Sequence, residues 1–220
     1  MRILLIGATG TIGEAVAAEL AERHELVRAG RTSGDEQVDL GDPASVRALF
    51  GRVGRVDAVV SAAGLAAFKP LAELSDDDFA FSLANKLMGQ VNVVRYGLGS
   101  VTDGGSITLT SGTLGQHPEP GTPAISLVNA GLEGFTRAAA LEAPRGIRVN
   151  VVSPPWVTET LRAMGRSWEG GLPAAVVAKA YVRSVEGKET GEVLSPPDGD
   201  AGHDRDSAGA LVGAGSGERR

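Results

Sequence analysis

Leu4-Leu5-Ile6-Gly7-Ala8-Thr9-Gly10-Thr11-Ile12-Gly13 places a glycine-rich turn between a short apolar run and a helical pattern. Residues 3–6 read as a fully buried strand, and Ile12, Val16 and Leu20 recur at helical spacing. Strand, glycine turn and helix in that order suit the pyrophosphate of a dinucleotide. The glycines let backbone N–H groups come close, and the helix offers the positive end of its dipole. A tight strand–helix turn without a ligand uses glycines too, so the turn speaks to the class of cofactor and not to the chemistry.

Composition narrows the field around this turn. The chain has 220 residues, enough for one domain with its own core. It contains no cysteine, which excludes disulfides, thiolate metal sites and cysteine nucleophiles. His24, His117 and His203 form no paired-histidine spacing, so no catalytic metal is expected. A net charge of -6 argues against a nucleic-acid partner. No apolar run is long enough to span a membrane, and the apolar run before Gly7 is too short for a signal peptide. The expectation is a soluble, cytoplasmic protein that handles a small molecule.

Strand and helix patterns alternate onward from the turn. Residues 25–30 read as a second strand ending at Arg31-Thr32-Ser33, and residues 37–40 as a short third one. Pro43 suits the first position of a helix, where its missing N–H is not needed. Residues 56–60 form a buried strand leading to Ser61-Ala62-Ala63-Gly64. Ser75, followed by Asp76, Asp77 and Asp78, reads as a hydroxyl cap with acids against the helix dipole. That helical stretch runs to about Tyr96. Residues 105–110 are the next strand, and Val128, Leu132, Phe135 and Ala139 mark one face of a long helix ending near Pro144. Residues 148–152 read as a strand, 173–185 as a helix and 192–194 as a last strand. Repeated alternation with near-continuous apolar strands predicts an α/β, doubly wound parallel sheet covered on both faces. From Ser195 the apolar period stops and Pro, Gly, Asp, Ser and Arg take over, so 195–220 reads as a disordered tail after a domain spanning 1–194.

Five segments, in order, resemble the short-chain dehydrogenase/reductase family: the glycine turn, Ser61-Ala62-Ala63-Gly64, Ile107-Thr108-Leu109-Thr110-Ser111, residues 129–137, and Gly146 through Ser153-Pro154. The resemblance covers about residues 1–194. It implies a single Rossmann-type domain with a seven-stranded parallel sheet, a nicotinamide dinucleotide, and a homodimer or homotetramer through the two long helices. Gly7, Thr9, Gly10, Thr11, Ile12 and Gly13 would face the pyrophosphate. Asp39 and Leu40 would border the adenine, Ala62, Ala63 and Gly64 would line the back of the cofactor, and Pro154 would lie beside it. Where an NAD-binding chain presents an acid to the ribose, Arg31-Thr32-Ser33 stands instead. A guanidinium can grip a 2′-phosphate in a bidentate manner, which favours NADP(H) and leaves NAD(H) open.

The catalytic end departs from the family pattern. The resemblance implies a Tyr and a Lys one helical turn apart, yet Ile125 and Asn129 occupy those positions, and no Tyr-x-x-x-Lys occurs anywhere in the chain. Ser111 matches the family serine that hydrogen-bonds the reacting oxygen. Lys86, with Asn85 adjacent, falls where the family places an asparagine on the preceding helix. One reading is a rebuilt site. Lys86 would supply the missing cation, Asn129 would bond the nicotinamide ribose, and His117 would donate the proton, since an imidazole exchanges protons near neutral pH. Solvated side chains for Lys86 and His117 and a packing role for Asn129 are the plainer alternatives. Trp156 and Trp168 flank the stretch where the family builds its substrate lid, and Pro155 stands where a glycine is usual. The expected activity is reduction of a carbonyl or oxidation of a secondary alcohol. A non-redox isomerase, cyclase or dehydratase type of enzyme and a non-catalytic dinucleotide-binding protein are the alternatives.

Overall fold

Ile3, Leu4, Leu5 and Ile6 are all fully buried, which requires a strand covered on both faces. Strand β1 (Arg2–Ile6) sends Leu4 and Ile6 into one apolar layer and Ile3 and Leu5 into the other, following the two-residue period of a strand. The computed structural model describes residues 1–167 and 169–197. Six further strands join β1: β2 (Glu25–Gly30), β3 (Glu36–Gln37), β4 (Val56–Ser61), β5 (Val101–Thr110), β6 (Arg148–Val152) and β7 (Val193–Leu194). All pair in parallel, in the order β3-β2-β1-β4-β5-β6-β7.

Helices α1 (Thr11–Ala21) and α7 (Ala174–Glu186) cover one face through Val16, Leu20, Val177 and Tyr181. Helices α2 (Pro43–Val53), α4 (Gly89–Gly97) and α5 (Pro123–Glu142) cover the other through Leu49, Phe50, Val93 and Leu132. This is a Rossmann-type doubly wound domain, as the alternation of patterns predicts. Strand order reverses between β1 and β4, and such a switch opens a crevice at the carboxyl ends of the strands. Among the described residues no helix is long and apolar enough to cross a membrane, and no group of three or more His, Asp or Glu is placed to hold a metal ion.

The structure differs from the sequence reading in informative places. The third strand is only Glu36–Gln37, because the ladder stops once Val38 N–H donates to the Gly30 carbonyl (3.0 Å). Asp39 Oδ1 then accepts from the Gly41 amide at 2.8 Å, a local turn that competes with strand pairing. Strand β5 starts four residues earlier than its apolar run, at Val101. Its pairing jumps from Val56↔Val101 to Ala58↔Ser106, and Gly104 (φ +74) takes up the slack in a left-handed conformation.

The helical stretch after Ser75 is three pieces. Helix α3 (Asp76–Ser82) carries a capping box, with Ser75 Oγ accepting from the Asp78 amide and the Asp78 carboxylate accepting from the Ser75 amide. A π-helical segment (Leu83–Met88) follows, then α4. Helix α6 (Thr158–Ala163) was not legible beforehand. Trp168 and residues 198–220, most of the expected tail, lie outside the described residues.

Candidate active site

The glycine turn is built by steric exclusion. Gly7 has φ +84, and a Cβ there would sit 2.8 Å from both the Ala62 carbonyl oxygen and Ala63 Cβ. A Cβ on Gly13 would fall 1.9 Å from the Gly7 carbonyl oxygen, so helix α1 rests directly on the turn. The first amides of α1 have no intrahelical acceptor, and Gly10, at its N-cap, offers no side chain to them. They border a cavity of about 500 Å³ whose walls include Gly7, Thr9, Gly10, Thr11 and Ile12.

Arg31, Thr32, Asp39 and Leu40 close the far side of this cavity, and Ala62, Ala63 and Gly64 its back. Among the described residues no ion pair engages Arg31. Two expected members fall outside the walls. Gly13 serves the helix–turn contact, and the Ser33 carbonyl packs against Gly30, where an added Cβ would meet it at 2.5 Å.

A second cavity, about 280 Å³, adjoins the first, and Ile12, Ala62, Ala63, Gly64, Leu65 and Thr160 line both. It gathers Lys86, Ser111, Asn129, Ile125 and Pro154. The wide turn of the π-helical segment lies where Lys86 enters, a distortion common at functional sites. Asn85 Oδ1 accepts from the Leu65 amide (2.7 Å), while Lys86 Nζ reaches across to donate to the Ser111 carbonyl (3.2 Å). The lysine stem runs over Gly64 (φ +138), where a Cβ would come within 2.9 Å of Lys86 Cγ. Lys86 is 9% exposed. Burial of its ammonium lowers its pKa from 10.5 to about 8, because charge is costly away from water.

Gln90, fully buried, holds the end of β5 in a double bond, donating to the Thr110 carbonyl and accepting from the Thr110 amide, both at 2.8 Å. Ser111 Oγ donates to Glu133 Oε1 (3.2 Å), and Ser153 Oγ donates to the same oxygen (3.3 Å). Gln116 Nε2 donates to the other carboxylate oxygen at 2.9 Å. The Asn129 side chain is buried and its Oδ1 has no hydrogen-bond partner among the described residues. Such an orphan costs about 1–3 kcal/mol, and a ligand hydroxyl would relieve it.

Phe68 and Trp156 both line this cavity, their rings tilted by 40° with centroids 5.7 Å apart. Trp156 Nε1 donates to Glu119 (3.1 Å), and the Arg166 guanidinium lies 4.7 Å from the Trp156 ring centroid. Trp156 therefore belongs to the pocket wall.

The structure does not bring His117 into this group. This residue is exposed and is not among the residues lining the pocket; its neighbours Gln116 and Glu119 are the ones that reach Glu133 and Trp156. Tyr181 is fully buried in the core: burial pushes its phenol well above the usual range, and its hydroxyl lies 2.6 Å from Thr110 Oγ1. Glu133 and Gln90 carried no role in the sequence reading. Asn129 and Glu133 are four residues apart on one buried helix face, a spacing that would have paired them.

The dinucleotide fits what is present. Uncapped α1 amides, a turn with no room for side chains and an orphaned Asn129 oxygen are a donor and acceptor set suited to a phosphate and a ribose hydroxyl. The enoyl-(acyl carrier protein) reductase family profile matches residues 7–194. Oxidoreductase UcpA of Escherichia coli K12 is 32% identical over 224 aligned positions, covering 87% of this chain and 85% of that protein. Protein lin1944 of Listeria innocua superposes with a TM-score of 0.86 at 43% identity, over 89% of this chain and 98% of that one. A small-chain dehydrogenase crystallised with NADPH superposes with a TM-score of 0.79 at 27% identity, over 90% and 97%.

Proposed function

Because the chain belongs to the short-chain dehydrogenase/reductase family, we propose that it binds NADP(H) and interconverts a carbonyl and a secondary alcohol on a small apolar molecule. The observation that carries this reading is the continuity of the two cavities. A dinucleotide held at the glycine turn extends past Ala62, Ala63 and Gly64 toward Lys86 and Ser111. Gly7, Gly10 and the first amides of α1 hold its pyrophosphate. Arg31 and Thr32 take a 2′-phosphate, which favours NADP(H) over NAD(H), and the NADPH found in the related dehydrogenase agrees. Asn129 accepts a ribose hydroxyl through its orphaned oxygen. The reduced dinucleotide, when bound, supplies a hydride.

The rest is done by the chain's own groups. Lys86 places a positive charge where the carbonyl oxygen becomes negative, in a pocket whose apolar walls strengthen that attraction. Leu65, Phe68, Leu114, Ile125 and Trp156 exclude water and select an apolar, cyclic substrate over a polar one. Leu127 and Leu141 stand exposed on α5 and offer a surface to a second copy, in keeping with a homo-oligomer.

Two titrations test the reading. Calorimetry with NADPH and NADH should show tighter binding of NADPH. NADPH absorbance, followed near ~340 nm against a panel of cyclic ketones and aldehydes, should then fall with at least one substrate. Failure of both dinucleotides to bind would overturn the cofactor assignment. Tight NADPH binding with no oxidation across the panel would overturn the reductase and leave a dinucleotide-binding protein.

A further inference from the structure

We propose that the Lys86 ammonium protonates the carbonyl oxygen during reduction, and that its neutral amine takes up the alcohol proton in the reverse direction. This assignment rests on the reductase reading above. It follows from which hydrogens in the pocket are committed and which are acidic enough to leave. The hydroxyls of Thr113 and Thr160 also line it but, like any simple alcohol, do not yield a proton near neutral pH. Ile125 fills the position where the family resemblance expects a phenol and has no proton to give. Ser111 spends its hydroxyl hydrogen on the Glu133 carboxylate (3.2 Å), an acceptor toward which Ser153 and Gln116 also point donors. Thr110 Oγ1 is held between the Ser61 carbonyl and Tyr181, each at 2.6 Å. The Trp156 N–H is held by Glu119. An amide such as Asn129 does not yield a proton near neutral pH.

Lys86 differs from all of these. Its ammonium has three hydrogens, of which one goes to the Ser111 carbonyl, and among the described residues no carboxylate pairs with it. The remaining hydrogens are available to a ligand in the cavity it lines. Burial also makes it acidic enough to give a proton away, with a pKa of about 8. A general acid works best when its pKa is near the operating pH.

The step balances. The carbonyl carbon gains the hydride of the reduced nicotinamide dinucleotide, which leaves oxidised. The carbonyl π pair moves to oxygen, and oxygen takes a proton from Lys86 Nζ. The neutral amine then regains a proton from solvent. Reduction needs the protonated form, so its rate holds below pH about 8 and falls tenfold per pH unit above. Oxidation needs the neutral amine and shows the opposite limb.

Two measurements test this. Lysine ¹³Cε signals of the whole chain are titrated with and without NADP⁺. One signal, absent in Lys86→Met, should titrate near 8, well below the about 10.4 of an unperturbed lysine. With the carbonyl that responds in the panel, Lys86→Arg keeps the positive charge but holds its proton too tightly. It should lose about 10²–10⁴-fold in rate, the usual contribution of a general acid. A wild-type rate in Lys86→Arg, no alkaline limb in the wild-type chain, or a Lys86 signal at about 10.4 would each overturn the assignment and leave the reductase standing. No NADPH oxidation by any carbonyl at any pH would overturn both.

Discussion

Replacing Lys86 by Met should make the protein more stable near neutral pH and less stable in strong base. Methionine follows the unbranched lysine stem and brings no charge. In the native chain, burial lowers the Lys86 pKa from 10.5 to about 8. At about 1.4 kcal/mol per pKa unit, that costs about 3 kcal/mol while the group is charged. The side chain is 9% exposed, so solvent screens little of this. The variant also loses the bond from Nζ to the Ser111 carbonyl, worth about 1 kcal/mol. The net gain at pH 7 is about 2 kcal/mol, or about 4–8 °C in melting temperature for a chain of this size.

The sign depends on pH. Between pH 8 and 10.5 the unfolded chain binds more protons at Lys86 than the native one, so wild-type stability rises through that window relative to the variant. Above pH 10.5 the penalty is gone and the variant should be about 1 kcal/mol less stable. Urea unfolding of both chains at pH 7, 9 and 11 reads this directly. A variant that is less stable at pH 7, or a difference that does not change with pH, would refute a buried, unpaired ammonium at this position.

Three other substitutions probe the site from different sides. Gly13→Ala drives a methyl to 1.9 Å from the Gly7 carbonyl oxygen. It should cost about 2–4 kcal/mol in urea unfolding and abolish NADPH binding by calorimetry. Arg31→Ala removes a charge-assisted phosphate contact and should weaken NADPH about 10–100-fold, with NADH changed less than threefold. Equal weakening of both dinucleotides would remove the 2′-phosphate from the reading. Tyr181→Phe gives up the bond to Thr110 Oγ1 and should cost about 1 kcal/mol while NADPH oxidation stays within twofold. A large loss of rate would mean that this phenol takes part in the chemistry.

Much of this architecture was legible because it depends on local rules. The apolar run through Ile6, the glycines that follow, Pro43 at a helix start and Ser75 before three acids each act within a few residues of themselves. The sheet and its dinucleotide crevice follow from those signals. What was not legible depends on distant partners. Strand β3 stops where Asp39 bonds its own turn, and β5 begins early because Val101 finds Val56. The burial of Lys86 depends on a π-helical turn and on Gly64, neither of which helical periodicity contains. Glu133 reads as an ordinary surface acid on α5 until Ser111, Gln116 and Ser153 converge on it. His117 carries a suitable side chain, and only the tertiary structure leaves it exposed and off the pocket wall while Gln116 and Glu119 of the same loop reach Glu133 and Trp156.

The central claim is that one cleft holds a reduced dinucleotide against a carbonyl and passes a hydride between them. Incubating the protein with NADPH deuterated at nicotinamide C4 and with the ketone that responds in the panel follows that atom. Mass spectrometry of the product should show the alcohol with one deuterium on its carbinol carbon, transferred from one C4 face and not from the other. NADPH that binds tightly yet yields no alcohol, or alcohol carrying no deuterium from either face, would contradict the account.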